Sequence, residues 1–292
     1  MRGVLTLAGE GTRMLPWTRG LRKEFLPLYD RSNGGPPSLK PVAHLALETL
    51  ADAGASDVTL VVAPRDRSFV ENYFTVDPSF LRRHAGHEDR LEETRRFYGT
   101  LGRLRLHFVV QPTVLGFGDA VLRSAAVIDR SPFVLHAADG ALLERRRGEL
   151  PRRMAELQEK EDLAAVLLVR RVEDARRYGV VEGKPHGRTD GILRLDVRQM
   201  QEKPARPRSH WAATAVYAFS SRLFPALRAV ARERRGPELE LTDAIARLVD
   251  EGDRVAALVL TPRHGEWRSV GSPEGYLRAL NRSRRLALQR SA

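Results

Sequence analysis

The feature that most constrains this chain is the stretch over residues 5–30, LTLAGEGTRMLPWTRGLRKEFLPLYD. A short apolar run over residues 4–8 ends in Gly9-Glu10-Gly11-Thr12-Arg13. An apolar run without alternation fits a strand buried on both faces. Two glycines just beyond it let the backbone approach a ligand closely and expose N–H groups. Arg13 and Lys23 set fixed positive charge on either side of the loop. Strand, glycine turn, arginine and lysine together make a cradle for a polyphosphate. Two commoner phosphate motifs are excluded. Met14 stands where a dinucleotide fingerprint needs its third glycine. The P-loop pattern, with its Gly-Lys followed by Ser or Thr, occurs nowhere in the chain. Taken alone, the stretch also fits a tight strand-to-loop turn with solvated basic residues, the lesser of the two readings.

The rest of the chain narrows the class. Its 292 residues, 42% hydrophobic, are enough to bury the core of one large α/β domain. There is no cysteine, which excludes disulfides, thiolate zinc sites and a cysteine nucleophile. No apolar run reaches ~18 residues, so no membrane span is expected. The N-terminus enters a strand directly and shows no secretory apolar region, so the expected location is cytoplasmic. A net charge of +12 raises the question of nucleic acid. The arginine clusters at 145–147, 234–235 and 284–285 are scattered, mostly flanked by acids, and lack interleaved aromatics. Solvated faces plus a basic site for anionic substrates account for the charge, and no nucleic-acid partner is expected.

Residues 30–40 carry Ser, Asn, two Gly and two Pro and read as a loop. A helix is expected from about residue 41 to 53, with Pro41 in its first turn and Gly54 as its stop. Strands are expected at 58–63, 104–110, 133–137 and 164–170. Residues 68–74 read as a short helix, and 78–98 as charged and helical. This alternation predicts a mainly parallel sheet with helices on both faces. In the second half, 180–181, 192–197 and 212–219 are strand-like. Leu241, Ile245, Leu248 and Val249 form one helix face, with Thr242 or Asp243 as a good N-cap. Residues 255–260 read as a late strand and 273–288 as a C-terminal helix.

The opening stretch resembles the sugar-nucleotide pyrophosphorylases, whose motif is Gly-x-Gly-Thr-Arg-(Met/Leu)-x-Pro followed by Lys-(Glu/Pro)-x-Leu-Pro. Both halves are present, at 9–16 and 23–27, and the wording is most similar to the bacterial UTP–glucose-1-phosphate uridylyltransferases. The resemblance continues through Gln111, Gly116-Phe117-Gly118-Asp119-Ala120, Asp139, Tyr178-Gly179-Val180-Val181, Glu202-Lys203-Pro204, Leu241-Thr242-Asp243-Ala244-Ile245 and Gly271 to Tyr276. It covers nearly the whole chain, from residue 3 to about 280.

The resemblance implies a single nucleotidyltransferase domain over 1–292. Its fold is a Rossmann-like, mainly parallel sheet with a β-rich sugar-binding addition. Residues 1–140 would mainly bind nucleotide, and 141–292 would supply the sugar side and the C-terminal helix. It implies nucleotide contacts at Ala8, Gly9, Glu10, Gly11, Thr12, Gln111 and Gly116. Arg13 and Lys23 would stabilise departing pyrophosphate, and Asp139, ending an apolar strand, would hold Mg²⁺ with substrate phosphates. Gly179, Glu202, Lys203 and His210 would face the sugar. The reaction implied is NTP, first of all UTP, plus a hexose 1-phosphate, first of all glucose 1-phosphate, giving NDP-hexose and pyrophosphate. A homo-oligomer is compatible with it.

Three departures stand out. The chain inserts residues between Asp30 and Lys40-Pro41, where the family has Asp-Lys-Pro in sequence. His210 stands where the uridylyltransferases have Asn. Ser269 occupies the position of the family's second metal-binding Asp, leaving Ser269 or Glu266 as the candidates for that ligand. The rival reading is therefore a catalytically weakened, nucleotide-sugar-binding regulatory protein.

Overall fold

The computed structural model describes residues 1–30, 36–128, 130–234 and 236–289. The opening apolar run is strand β1 (Arg2–Thr6). It is followed by β2 (Pro27–Asp30), β3 (Ser38–Pro41), α1 (Val42–Asp52), β4 (Asp57–Val62), α2 (Arg67–Tyr73), α3 (Pro78–Arg83), α4 (Glu88–Leu101) and β5 (Arg105–Val110). The middle holds α5 (Phe117–Arg123), α6 (Ala125–Ile128), β6 (Phe133–Ala137), β7 (Gly140–Glu144), α7 (Glu149–Lys160) and β8 (Ala165–Arg171). The last part holds β9 (Gly179–Thr189), β10 (Ile192–Glu202), β11 (Trp211–Phe219), α8 (Leu223–Glu233), α9 (Leu241–Asp250), β12 (Val255–Leu260), β13 (Gly265–Ser269) and α10 (Pro273–Gln289).

Nine strands form one sheet in the order β5-β4-β1-β6-β11-β8-β12-β10-β9. β5, β4, β1 and β6 pair in parallel, as do β8 and β12. β11 is antiparallel to β6, β8 and β9, and β10 is antiparallel to β12 and β9. Only β10 and β11 are thus reversed, and the mainly parallel sheet expected from the sequence is present. Successive residues of β1 feed opposite cores. Leu5 packs with α1 and α7 residues such as Leu47 and Met154. Val4 packs with α5, α8 and α9 residues such as Val121, Leu227 and Ile245. Burial on both faces is why the run shows no alternation.

The strands flanking the insertion, β2 and β3, pair antiparallel, so residues 38–41 are strand rather than plain loop. Asp30 on β2 faces Ser38 on β3, and residues 31–35 lie outside the described residues. This pairing returns Lys40 to Asp30, with Lys40 Nζ 3.0 Å from Asp30 Oδ2 and 3.0 Å from Glu48 Oε1. The Asp–Lys relation that the family keeps in sequence is here rebuilt in space. The buried pair holds the Asp30 carboxyl down at about 2: burial alone would raise it, but Arg147 and Lys40 outweigh that.

The stretch 78–98 is two helices, α3 and α4, broken near Gly86, whose φ is +101°. β9 runs through Pro185 to Thr189, well past the expected pair of valines. It is the last strand in the sheet order, and an edge strand tolerates proline. Neither Thr242 nor Asp243 caps α9: the N-cap is Glu240, and Thr242 Oγ1 is buried without a hydrogen-bond partner among the described residues. No described helix is long and apolar enough to cross a membrane.

Candidate active site

A cleft of about 610 Å³ opens beyond the carboxyl ends of β1 and β6. Ligands of open α/β sheets collect at such ends. Ala8, Gly9, Glu10, Gly11, Thr12, Arg13, Lys23, Gln111, Gly116 and Asp139, all expected from the sequence, line it together.

The loop after β1 is held from behind. Gly11 has φ +68°, and a methyl there would lie 2.9 Å from Thr18 Cγ2, so only glycine fits the turn. Thr18 Oγ1 donates to Gly11 O at 3.0 Å, and Arg22 Nη1 donates to Gly9 O at 2.6 Å. Arg22 is itself ion-paired with Asp66. A short helical turn at Lys23–Phe25 then aims Lys23 under the glycines. Its Nζ would lie 3.6 Å from a methyl built on Gly9.

Lys23 Nζ is 2.8 Å from Asp139 Oδ2 and 3.8 Å from Glu24 Oε1. Burial alone would lower the Lys23 ammonium, but Asp139 and then Glu24 hold it above its ordinary value. Burial would likewise raise the Asp139 carboxyl, and Lys23 and then Arg13 hold it below. Glu24 is enclosed, and burial raises it to about 7 against the pull of Lys23. Arg22 and Glu24 were not among the expected site residues, since burial of a charged side chain leaves no local sequence signal.

The C-terminal half reaches the same point through a small separate sheet. β13 pairs with β7, and Ser269 stands opposite Gly140, directly after Asp139. A methyl built on Gly271 would lie 3.1 Å from Arg13 Nη2, 3.3 Å from Ser269 Oγ and 3.6 Å from Asp139 Oδ2. Those three groups therefore surround one point. Ser269 Oγ donates to Asp139 O at 3.3 Å and accepts from Gly271 N at 3.1 Å. Glu266 does not come to the cleft. It is ion-paired with Arg268 and Arg282 and lines a different groove. No group of three or more metal-ligating side chains occurs among the described residues.

At the other end of the cleft, Gln111 is almost fully buried. Its Nε2 donates to Asp119 Oδ2 at 2.8 Å and to Gly116 O at 3.2 Å. Gly116 has φ +102°, and a methyl there would lie 2.7 Å from Leu239 O. This glycine is required by the Leu239 backbone as well as lining the cleft.

On the expected sugar side, Gly179 faces Glu202 across the β9–β10 ladder. A methyl on Gly179 would lie 3.2 Å from Glu202 Oε2 and 2.7 Å from Thr242 Cγ2. Lys203 N donates to Tyr178 O at 3.0 Å, and Lys203 Nζ lies 2.9 Å from Glu202 Oε1 and 3.6 Å from Glu240 Oε1. Glu238, which lines the cleft, is among the carboxylates that raise Lys203 against the lowering effect of burial. His210 is not part of this group. Its ring meets Val172 O at 3.1 Å, and it makes no hydrogen bond or ion pair with Glu202 or Lys203 among the described residues.

The model of the nucleotidyl transferase family matches residues 2–285. A Bacillus subtilis protein provisionally named a UTP–glucose-1-phosphate uridylyltransferase is 27% identical over 281 residues, covering 96% of this chain and 95% of that protein. A glucose-1-phosphate thymidylyltransferase of Neisseria gonorrhoeae is 26% identical over 274 residues, covering 94% and 79%. The crystal structure of an apo UDP-glucose pyrophosphorylase superposes with a TM-score of 0.82 at 25% identity, covering 98% of both chains.

Proposed function

We propose that this chain, which belongs to the nucleotidyl transferase family, transfers a nucleotidyl group from an NTP to a sugar 1-phosphate and releases pyrophosphate, with UTP and glucose 1-phosphate as its substrates. The observation that carries this reading is the convergence of Arg13, Lys23 and Asp139 at one end of a cleft whose other end is closed by Gln111. The relatives, named for uridylyl and for thymidylyl transfer, support the shared chemistry.

The sugar phosphate oxygen attacks the α-phosphorus in line, and the bond to the β-phosphate oxygen breaks. That nucleophile is ionised near neutral pH, so no general base is needed. The protein's work is positioning and charge neutralisation. Lys23 and Arg13 take up the charge that develops on the departing pyrophosphate. Gln111 directs its amide N–H groups to Asp119 and Gly116, which leaves Oε1 as its acceptor. An acceptor suits the N3–H of a uracil or thymine ring. Glu202 accepts from sugar hydroxyls, and Lys203 meets the sugar phosphate as a point charge.

The donor set fits Mg²⁺ through a single protein oxygen. Asp139 is a hard ligand at a strand end with 28% of its side chain exposed, and this ion accepts one carboxylate with substrate phosphates and water around it. When bound there, the ion supplies charge neutralisation at the α-phosphate.

One observation favours a second reading, a nucleotide-sugar-binding protein with weakened turnover. Ser269, which replaces the second metal-binding Asp that the resemblance implies, brings no charge, and its Oγ is engaged by Asp139 O and Gly271 N. A pyrophosphate-release screen over UTP, dTTP and several hexose 1-phosphates with Mg²⁺ tests the assignment. Release that is fastest with UTP and glucose 1-phosphate supports it. Faster release with dTTP or another sugar overturns the substrate choice and leaves the reaction class intact.

A further inference from the structure

A groove of about 710 Å³ lies between the ends of β8, β11 and β12, strand β13 and helix α10. Its lining shares no residue with the cleft. Arg278, Arg282 and Arg285 recur at i, i+4 and i+7 on α10, so one helical face presents three guanidinium groups to it. Arg170 and Arg171 close the end of β8, and Arg268 enters from β13. Glu266 is the one carboxylate of the lining among the described residues, and Arg268 and Arg282 already hold it. Arg170, Arg171, Arg278 and Arg285 have no carboxylate partner among the described residues.

This arrangement works against folding. Like charges four residues apart weaken a helix. Arg170 Nε and Arg268 Nε are buried with no hydrogen-bond partner among the described residues, and an unmet buried donor is costly. A guanidinium fork matches phosphate oxygens two at a time. The half-buried Trp211 adds a flat apolar wall, and Arg170 is steadied over the Tyr178 ring at 5.3 Å. The volume is that of a small-molecule site. A nucleic-acid strand would need an extended basic track with several stacking aromatics instead.

We propose that this groove is a second binding site, for a small ligand bearing two or more phosphate groups. The site stands independently of the reaction assigned to the cleft. It is nonetheless close to it: β13 carries Glu266 and Arg268 at the groove and Ser269 against Asp139 of the cleft.

Calorimetric titration with inorganic tripolyphosphate in metal-free buffer tests the proposal. The parent is expected to show two classes of site. Arg278→Gln with Arg285→Gln should weaken one class at least tenfold and leave the other, whereas Lys23→Ala should do the reverse. Arg228→Gln with Arg232→Gln removes the same charge from exposed positions on α8 and should alter neither class. A single class that Lys23→Ala abolishes and the α10 pair leaves intact overturns the proposal. So does an equal loss in the α8 and α10 pairs, which would reflect net charge alone. Loss of the Lys23-dependent class by itself bears on the cleft and not on the groove.

Discussion

Lys23 Nζ lies 2.8 Å from Asp139 Oδ2, joining residues 116 positions apart that follow the neighbouring strands β1 and β6. The contact pairs an enclosed ammonium, offsetting the lowering effect of burial and holding Lys23 above its ordinary value. It also presets Lys23 beside the glycine loop, so its charge is in place before pyrophosphate forms. Lys23→Ala should lower kcat by about 10² or more, as loss of one preorganised transition-state donor does. Steady-state pyrophosphate release reads this directly, and a loss of only a few-fold would show that the triphosphate lies elsewhere.

Glu202 belongs to the group around Gly179 and Lys203. Glu202→Gln keeps the size and removes the charge. It should raise KM for the sugar phosphate about tenfold, as loss of a charge-assisted hydrogen bond does, and leave KM for UTP within about twofold. An equal change in both constants would detach Glu202 from the sugar.

The N-terminal half was legible because its signals are local. An uninterrupted apolar run, glycines at its end and a lysine nearby define β1 and its loop within thirty residues. The pairing of β7 with β13 was not legible. Each strand has five residues, GALLE and GEWRS, and their partners are over a hundred residues apart. Yet this pairing is what sets Ser269 beside Asp139. Helices α7 and α8 went unread although Leu150, Met154 and Leu157, and Leu223, Phe224 and Leu227, mark apolar stripes at helical spacing. The resemblance places His210 with the sugar group, whereas its ring meets Val172 O. The glycine at 116 reads as a ligand contact in sequence, but its tightest neighbour is the Leu239 backbone.

His136 is fully buried in β6, with Nδ1 2.9 Å from Ala137 O, and burial lowers it from 6.5 to about 4. Between those values the unfolded chain takes up a proton that the folded one refuses. Stability therefore falls as pH drops from about 6.5 to about 4, by up to about 3 kcal/mol, and this contribution is constant above that window. Denaturant unfolding across pH for the parent and His136→Phe checks it. The variant should lose this part of the slope even where its overall stability differs. An unchanged slope would mean that His136 titrates normally.

Ser269 brings no charge to the point shared by Arg13 and Asp139. Ser269→Asp adds a carboxylate there, which can still accept from Gly271 N. It should lower the Mg²⁺ concentration for half-maximal rate by about tenfold and raise turnover at low Mg²⁺. A parent already saturated at micromolar Mg²⁺, with no change in the variant, would show that one carboxylate suffices.

The central claim is that Asp139, Lys23 and Arg13 form one nucleotidyl-transfer centre. Its most direct measurement is pyrophosphate release from UTP and glucose 1-phosphate against Mg²⁺ concentration, for the parent and Asp139→Asn. The account predicts release in the parent that requires both substrates and rises with Mg²⁺, and none above background in Asp139→Asn. A parent that is silent at every Mg²⁺ concentration, yet binds UDP-glucose by calorimetry, would contradict it and leave a binding protein in place of an enzyme.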